Sequence, residues 1–299
     1  MTLVLNNVSK RFGNTTAVDH LSLEIPEKEI FGFLGGNGAG KTTTFRMILG
    51  LLSPTAGQIH WNGSFIDHHK SHLIGYLPEE RGLYPKLKVR EQLIYLGKLR
   101  GMTKQEVLTE LKNWLERFKV PEYLDKKIEE LSKGNQQKVQ FISAIIHQPK
   151  LVILDEPFTG LDPINVEMLK EAVVDLKEQG TSIVFSSHRM DHVEELCEHL
   201  CILHKGKQVV QGALFDIKRT FGKKNLIIHA DGSLEFLRHF SGVVQYKPVT
   251  QGCILQIENE RISQDIFQAL QEKEFIRKFE LEEPSLNDIF IEKVGADYA

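Results

Sequence analysis

The segment Gly35-Gly36-Asn37-Gly38-Ala39-Gly40-Lys41-Thr42 constrains this chain most, because it fits the phosphate-loop pattern GxxxxGK[ST] at every fixed position. The apolar run from Ile30 to Leu34 ahead of it predicts a buried strand, and apolar residues from Phe45 to Leu52 follow at helical spacing. Glycines let backbone N–H groups approach phosphates, and a helix N-terminus adds partial positive charge. The alternative, a glycine-rich turn capping an ordinary helix, does not explain the flanking strand. The pattern predicts a nucleoside triphosphate site, with Lys41 on the β- and γ-phosphates and Thr42 on Mg²⁺.

The composition is that of an ordinary globular protein. The 299 residues are 41% hydrophobic and 26% charged, with a net charge of −3, which argues against a nucleic-acid scaffold. No apolar stretch approaches the roughly 20 residues needed to span a bilayer, and the first residues lack the features of a signal peptide. The three cysteines suggest reduced thiols packed in a core rather than a metal site. We therefore expect a soluble cytoplasmic protein whose membrane role, if any, comes through a partner.

The first part of the chain has the pattern of an α/β core. Its first fifth is rich in strands, and helical periodicity then extends from about Val89 to His147. After Pro149, buried strands return and alternate with helices, over residues 151–154, 182–186 and 200–203. Consecutive βα units predict a mostly parallel sheet. We expect an α/β nucleotide-binding domain over residues 1–215, with a β-rich N-terminal part and a helical insert at about 86–147.

The remaining residues, 216–299, have a different pattern. Strands are predicted over residues 225–228, 243–246, 253–257 and 276–281, and helices over 234–240 and 266–270. The order βαββαβ matches a ferredoxin-like α+β unit. Because no catalytic motif falls here, we expect a small accessory domain.

A second chemical motif is Leu151-Val152-Ile153-Leu154-Asp155-Glu156-Pro157. Four apolar residues predict a buried strand, and the two acids come where that strand leaves the sheet, at the edge where ligands of open α/β sheets bind. Asp155 is placed to hold Mg²⁺, and Glu156 is placed to orient or deprotonate an attacking water. Two surface carboxylates at the start of a loop are the alternative, which the phosphate loop upstream disfavours.

A third motif, Leu131-Ser132-Lys133-Gly134-Asn135-Gln136-Gln137, completes a resemblance to the ATP-binding cassette (ABC) ATPases. Ser132 by itself is a good N-cap for the following helix. The segment is also similar to the family signature LSGGQ, which lies just upstream of the Asp-Glu strand. Over residues 1 to about 215 the chain presents, in family order, the phosphate loop, a helical insert, this signature, Asp155-Glu156, Asp162 and His188.

The resemblance implies roles for the matching positions. Phe12 is similar to the aromatic residue that stacks on adenine, although a core phenylalanine is the alternative. His188 resembles the switch histidine that contacts the γ-phosphate, with a polar loop cap as the alternative, and Asp162 resembles the acid that communicates between two sites. The implied nucleotide-binding residues are Phe12, Gly35, Gly36, Asn37, Gly38, Ala39, Gly40, Lys41, Thr42, Thr43, Glu79, Ser132, Gly134 and Asp162; the implied metal ligands are Thr42 and Asp155; the implied catalytic residues are Glu156 and His188.

The family further implies a dimer that sandwiches two ATP molecules, in which the signature covers the γ-phosphate held by the facing subunit. The chain departs from the family pattern at three positions. Lys133 and Asn135 replace the usual glycine and glutamine of the signature, and Glu79, in the loop from Gly75 to Glu79, replaces a glutamine that contacts Mg²⁺. We hypothesise that Glu79 turns toward the partner or binds the metal through water, and that Lys133 offsets negative charge across the dimer. Tolerated variation is the alternative.

The resemblance implies the ATPase subunit of an ABC transporter, bound at the inner face of the cell membrane by separate permease subunits. The segment from Glu283 to Phe290 resembles the tail of drug-resistance and sodium-extrusion exporters, which favours export. The region from Pro85 to Arg100 is where a permease helix is expected to dock. Two alternatives remain: a soluble ABC protein of translation or DNA repair, and a regulatory cassette that binds ATP without turnover. A P-loop kinase or GTPase is disfavoured because no guanine-reading NKxD motif is present.

Overall fold

A computed structural model describes residues 2–66, 68–80, 82–271 and 275–295. The chain forms two compact units, residues 1–212 and 213–299. Within the described ranges, no helix combines the length and the hydrophobicity that crossing a membrane requires.

The first unit contains two sheets. Its strands are β1 (Leu3–Phe12), β2 (Thr15–Ile25), β3 (Ile30–Leu34), β4 (Ala56–Trp61), β5 (Ser64–Phe65), β6 (Ile74–Leu77), β7 (Leu151–Asp155), β8 (Ser182–Ser187), β9 (His199–His204) and β10 (Lys207–Ala213). An antiparallel sheet has the order β2-β1-β4-β5, and the central sheet has the order β10-β9-β3-β8-β7-β6. The pairs from β9 to β6 in the central sheet are parallel, as the βα alternation predicts.

The helices of the first unit are α1 (Lys41–Ile48), α2 (Val89–Leu99), α3 (Lys104–Arg117), α4 (Lys133–Ile145), α5 (Pro163–Glu178) and α6 (Met190–Leu196), with short 3₁₀ helices at His68–Leu73, Pro121–Asp125 and Ile128–Glu130. Local sequence sets several of their starts. Ser132 caps α4 by accepting from the Asn135 N–H, and Asp162 caps α5 by accepting from the Asn165 N–H. Between β6 and β7 the chain is mainly helical, as expected.

The strands that carry the chemistry are buried on both faces. All five residues of β3 and of β7 are buried, as are all six of β8, because helices cover both sides of a parallel sheet. In the register, Leu34 pairs with Ser187, and Asp155 pairs with Ser186. The C-terminal ends of β3, β7 and β8 therefore meet at one edge, where the phosphate loop and both acids of the Asp-Glu motif emerge.

Two local expectations are corrected. Residues 75–77, interpreted as part of a loop, belong to the edge strand β6. Gly75 makes this possible, because a Cβ there would lie 2.1 Å from the Ala144 carbonyl oxygen of the covering helix. The spacing of Cys197 and Cys201 would allow both to lie on one helix face, but Cys197 is the C-cap of α6 and Cys201 lies in β9. Both thiols are buried, as a packing function requires, and burial raises the pKa of Cys201 to about 12.

The second unit has the ferredoxin-like strand arrangement. Its elements are α7 (Leu214–Phe221), β11 (Lys224–Ala230), a 3₁₀ helix (Glu235–His239), β12 (Val243–Val249), β13 (Gly252–Ile257), α8 (Arg261–Gln271), β14 (Ile276–Glu282) and α9 (Leu286–Val294). The sheet order is β12-β13-β11-β14, with antiparallel neighbours, as in a βαββαβ unit. The helix predicted over residues 234–240 is only a 3₁₀ turn, and α7 and α9 extend the predicted pattern.

Candidate functional site

A cleft of about 430 Å³ lies at the C-terminal edge of the central sheet. It is lined by Phe12, Ala17, Gly36, Asn37, Gly38, Ala39, Gly40, Lys41, Thr42, Thr43, Glu79, Asp155 and Glu156. The structure thus brings together residues that the sequence analysis drew from four separate segments. Gly35 contributes from just outside this lining, through its carbonyl group.

The loop between β3 and α1 needs its glycines for close packing. Gly40 has φ 106°, and a Cβ on it would lie 2.6 Å from the Ala17 carbonyl oxygen. At Gly35, a Cβ would lie 2.4 Å from the Leu203 carbonyl oxygen. Neither distance is possible for a real side chain, so the loop can pack against β2 and β9 only with glycine at these positions.

Lys41 is held by the loop and faces an acid. Its ammonium group donates to the carbonyl oxygens of Gly35, at 2.6 Å, and of Gly36, at 3.4 Å. It also lies 3.6 Å from Glu156 Oε1, with both side chains only 7% exposed. A cation and an anion at this separation attract each other, and here both are buried. The cleft therefore presents a fixed positive charge beside the phosphate loop.

The carboxylate of Asp155 is hydrogen-bonded through both oxygens. The Thr42 hydroxyl donates to Oδ2 at 2.7 Å, and the Ser186 hydroxyl donates to Oδ1 at 2.6 Å. Thr42 and Asp155 thus offer two hard oxygen donors in contact with each other, which suits Mg²⁺. Among the described residues, no group of three or more His, Cys, Asp or Glu side chains could hold a metal. This set instead fits an ion that takes one carboxylate together with substrate phosphates.

Glu156 sits at a constrained turn directly after β7. Its φ is 50°, in the left-handed region that side chains other than glycine rarely adopt, and its N–H donates to Ser186 Oγ at 3.0 Å. Its Oε2 lies 2.9 Å from Nδ1 of His188 and accepts from the Thr159 hydroxyl at 3.3 Å. The carboxylate is therefore held by His188, which directly follows β8, and by Thr159 in the loop that follows β7. His188 does not line this cleft but reaches it through Glu156.

The signature residues and Asp162 lie away from this cleft, although all of them are in the described part of the chain. Ser132 and Lys133 are exposed at the start of α4. Gly134 lies close to the start of α5, where a Cβ would be 3.2 Å from Asn165 Nδ2. The hydrogen bonds from Asn165 to Asp162 hold the pKa of this exposed carboxyl below its usual value. The start of the signature and Asp162 thus lie on the surface of the same unit, apart from the cleft.

Comparison with known proteins identifies the family. The family described as ABC transporter matches residues 18–159, and the one described as ATP-binding protein DrrA1-3-like, C-terminal domain, matches residues 212–294. The chain is 66% identical over 296 residues to the uncharacterized ABC transporter ATP-binding protein YhaQ of Bacillus subtilis, with 99% of each chain covered. The chain belongs to the ABC transporter ATP-binding proteins. This confirms the resemblance drawn from the motifs.

Two further relatives of this ABC protein match over nearly the whole length. The bacitracin transport ATP-binding protein BcrA of Bacillus licheniformis is 33% identical, covering 97% of this chain and 96% of its own. The linearmycin resistance ATP-binding protein LnrL of Bacillus subtilis is 30% identical, covering 98% of each chain. A solved structure of an ATP binding subunit of an ABC transporter is similar with a TM-score of 0.69 and 32% identity, covering 74% of this chain and 94% of that one. The P-loop fold class is thereby confirmed. ABC ATPase domains bind ATP.

Glu79 lines the cleft together with Asp155 and Glu156. The backbone around it is tied to the signature helix, because the buried amide of Gln140 in α4 donates to the Pro78 carbonyl at 3.3 Å and to the Glu80 carbonyl at 3.0 Å. The acids also act on Tyr76 in β6, whose pKa rises to about 12 through burial first and then the charge of Asp155. The cleft of this ABC protein therefore contains three carboxylate groups, those of Glu79, Asp155 and Glu156.

Sequence reasoning missed three residues of the ABC site. Ser186 contacts both acids, and its signal was a hydroxyl directly after the apolar residues 183–185 of a buried strand. Gln140 was marked only by being polar between Val139 and Phe141 in α4. Ala17 lines the cleft through its place in β2, and nothing in the sequence marks it, because that contact depends on how β2 meets the phosphate loop.

Proposed function

We propose that this chain is the ATP-hydrolysing subunit of an ABC exporter, in which ATP closes a dimer and hydrolysis opens it. Residues 1–212 would form the ATPase domain and residues 213–299 an accessory domain. The observation that carries the proposal is one cleft that contains Lys41, Thr42, Asp155 and Glu156, with His188 hydrogen-bonded to the Glu156 carboxylate.

The chain's own groups supply the chemistry of hydrolysis. Lys41, now bonded to loop carbonyls, has the reach to exchange these bonds for phosphate oxygens, and the exchange also releases it from Glu156. Glu156 Oε1 is then left as the acceptor for a proton from an attacking water, while Oε2 stays fixed by His188 and Thr159. The loop N–H groups and Lys41 favour the negative charge of the transferred phosphoryl group.

Mg²⁺ is the proposed metal, and Thr42 and Asp155 would hold it. When bound, it neutralises charge on the β- and γ-phosphates. The hydrogen bond between the Thr42 hydroxyl and Asp155 Oδ2 keeps these two donors together beforehand. Less rearrangement is then needed when the metal arrives with its nucleotide.

A second copy, identical or related, would complete the site. Ser132 and Gly134 lie outside their own chain's cleft, and Ser132 is exposed, so both are free to cover a nucleotide held by a facing subunit. Asp162, exposed at the start of α5 beside Gly134, belongs to the same surface. Lys133 would bring a positive charge to that interface, where the Glu79 carboxylate of the facing copy adds a negative one.

A separate permease would hold the subunit at the inner face of the cell membrane. The segment after the Glu79 loop exposes large apolar side chains, which are Tyr84, Leu87, Tyr95 and Leu99. Four exposed apolar side chains within a short stretch of loop and helix favour contact with a protein partner. Export is favoured by the full-length similarity to BcrA and LnrL, whose names refer to bacitracin transport and linearmycin resistance.

The test is phosphate release by the full chain, alone and with its co-expressed permease, using Glu156→Gln as the variant. We expect the variant to keep ATP binding, to lose at least about 100-fold in hydrolysis and to accumulate as an ATP-bound dimer on size-exclusion chromatography. Hydrolysis at the wild-type rate would contradict the assignment of Glu156 as the base.

The alternatives predict other results. A regulatory cassette would bind ATP and release no phosphate even with the permease present. A soluble ABC protein of translation would sediment with ribosomes and leave the co-expressed permease unbound. The intact set Lys41, Asp155, Glu156 and His188 favours turnover over regulation.

A further inference from the structure

Ser186 is a fully buried hydroxyl that contacts both acids of the site. It lies near the end of β8, directly beside Asp155 in the register of the sheet. Its Oγ donates to Asp155 Oδ1 at 2.6 Å and accepts from the Glu156 N–H at 3.0 Å. One side chain thereby connects the implied metal ligand with the backbone of the implied base.

The direction of these bonds matters for Asp155. A serine hydroxyl has a single hydrogen, and here that hydrogen goes to Oδ1, because the carboxylate can only accept and the Glu156 N–H can only donate. Fixing Oδ1 also fixes the rotation of the carboxylate group. The other oxygen, Oδ2, is then directed at Thr42, where the two proposed metal donors meet.

The bond to the Glu156 N–H matters for the turn. A residue other than glycine at φ 50° is strained, because its Cβ crowds the backbone in the left-handed region. Its N–H is buried and would lack a partner without the Ser186 oxygen. The hydroxyl therefore holds the backbone from which the Glu156 carboxylate reaches Lys41 and His188.

We propose that Ser186 is a positioning residue that orients Asp155 for the metal and Glu156 for the attacking water through one hydroxyl group. The proposal rests on the ATPase function proposed above. In this function Ser186 does more than accept a hydrogen bond from a buried N–H group. Partners that orient a metal ligand commonly affect metal affinity or activity by about 10- to 100-fold.

Ser182, at the other end of the same strand, provides a matched control. It is also buried, and its hydroxyl accepts from the Lys28 N–H at 2.9 Å, far along β8 from the cleft. Ser182→Ala and Ser186→Ala each remove one buried hydroxyl that accepts from a backbone N–H. A purely structural function predicts the same consequences for both variants.

The experiment measures the affinity of the full-length chain for a fluorescent ATP analogue, in EDTA and in excess Mg²⁺. The ratio of the two affinities gives the gain due to the metal. In Ser186→Ala we expect the affinity in EDTA to change less than about twofold, whereas the gain in affinity due to Mg²⁺ should fall about tenfold. The kcat for phosphate release should fall by at least the same factor, and KM should change little. Ser182→Ala should keep both the gain and kcat.

Two further variants keep the proposal testable if the alanine variant does not fold. Ser186→Thr retains the hydroxyl and should retain most of the metal gain, whereas Ser186→Cys retains the size but donates weakly and should lose most of it. A Ser186→Ala variant that keeps the wild-type gain and kcat overturns the positioning function alone. A wild-type chain without a metal gain and without phosphate release overturns the proposed ATPase function, and this proposal with it.

Discussion

The side-chain amide of Asn135 donates a hydrogen bond to the hydroxyl of Tyr123, with 2.8 Å between nitrogen and oxygen. Asn135 is the signature position where the family pattern has glutamine, and Tyr123 lies in the 3₁₀ helix Pro121–Asp125 that precedes the signature. The side chain of Asn135, which is shorter than glutamine, thus has a hydrogen-bond partner within the same chain. This bond fixes the first turn of α4, which exposes Ser132 and Lys133.

Removing this bond should weaken dimer formation and leave nucleotide binding by the single chain intact. Tyr123→Phe removes one hydrogen bond, which contributes about 1 kcal/mol, so we expect ATP-driven dimerisation to weaken about fivefold. Analytical ultracentrifugation in the Glu156→Gln background measures it. Tyr95→Phe, which removes an exposed hydroxyl from α2, is the control. Equal dimerisation of the two variants would show that the bond has no such effect.

Replacing Glu79 should relieve repulsion in the cleft. Glu79 shares the cleft with Asp155 and Glu156, and like charges in one cleft repel each other. We expect Glu79→Gln to tighten ATP binding severalfold and to lower the Mg²⁺ concentration for half-maximal hydrolysis. Glu80→Gln, which changes the neighbouring carboxyl outside the cleft lining, is the control. If Glu79→Gln leaves the ATPase rate and its Mg²⁺ dependence unchanged, Glu79 does not repel the other acids of the cleft.

Phe12 should contribute to binding through the base and not through the phosphates. The ring is half exposed, lines the cleft and has the ammonium group of Lys10 5.2 Å from its centroid. Stacking contributes about 1–3 kcal/mol, so Phe12→Ala should weaken ATP binding by about 5- to 150-fold and leave tripolyphosphate binding unchanged in calorimetry. Phe12→Trp should retain affinity. Phe65→Ala, an exposed aromatic outside the cleft lining, is the control. Equal loss for ATP and tripolyphosphate would refute stacking.

His147 should make the stability of the chain depend on pH. Burial, with a smaller effect of Arg100, lowers its pKa to about 4, while Nε2 hydrogen-bonds to the Ile74 carbonyl oxygen at 3.2 Å. Between pH 6.5 and about 4 the unfolded chain takes up a proton at this residue and the folded chain does not. Stability from this group is therefore complete above pH 6.5 and is lost as the pH falls toward 4, by roughly 1–2 kcal/mol after allowing for partial solvation.

Urea unfolding of the wild type and of His147→Gln at pH 7.5 and pH 5 measures this effect. The glutamine amide can donate to the same carbonyl but does not titrate. The wild type should lose more stability than the variant between the two pH values. Parallel losses would show that His147 does not contribute.

Local sequence determined much of the chemistry of this protein. The phosphate loop, the Asp-Glu strand and the signature are short segments whose residue types meet local demands: glycine where the loop packs tightly, four apolar residues where a strand is buried, and serine where a helix begins. These demands involve neighbours along the chain, so the sequence alone predicted the nucleotide site, the α/β core and the βαββαβ order of the second unit. The 3₁₀ turn at Glu235–His239 was mistaken for a longer helix, because apolar spacing alone does not distinguish one turn from two.

Only the tertiary structure decided how these segments meet. The contacts of Ser186 with Asp155 and Glu156, of Gln140 with the Glu79 loop, and of Asn135 with Tyr123 join residues from different strands and helices. The contacts of Ser186 depend on the order and register of strands in the central sheet, and those of Gln140 and Asn135 depend on how α4 packs against its neighbours. The spacing of apolar residues along the sequence does not specify which residues of two strands pair. The hydrogen bonds that orient the two acids could therefore be found only in the folded chain.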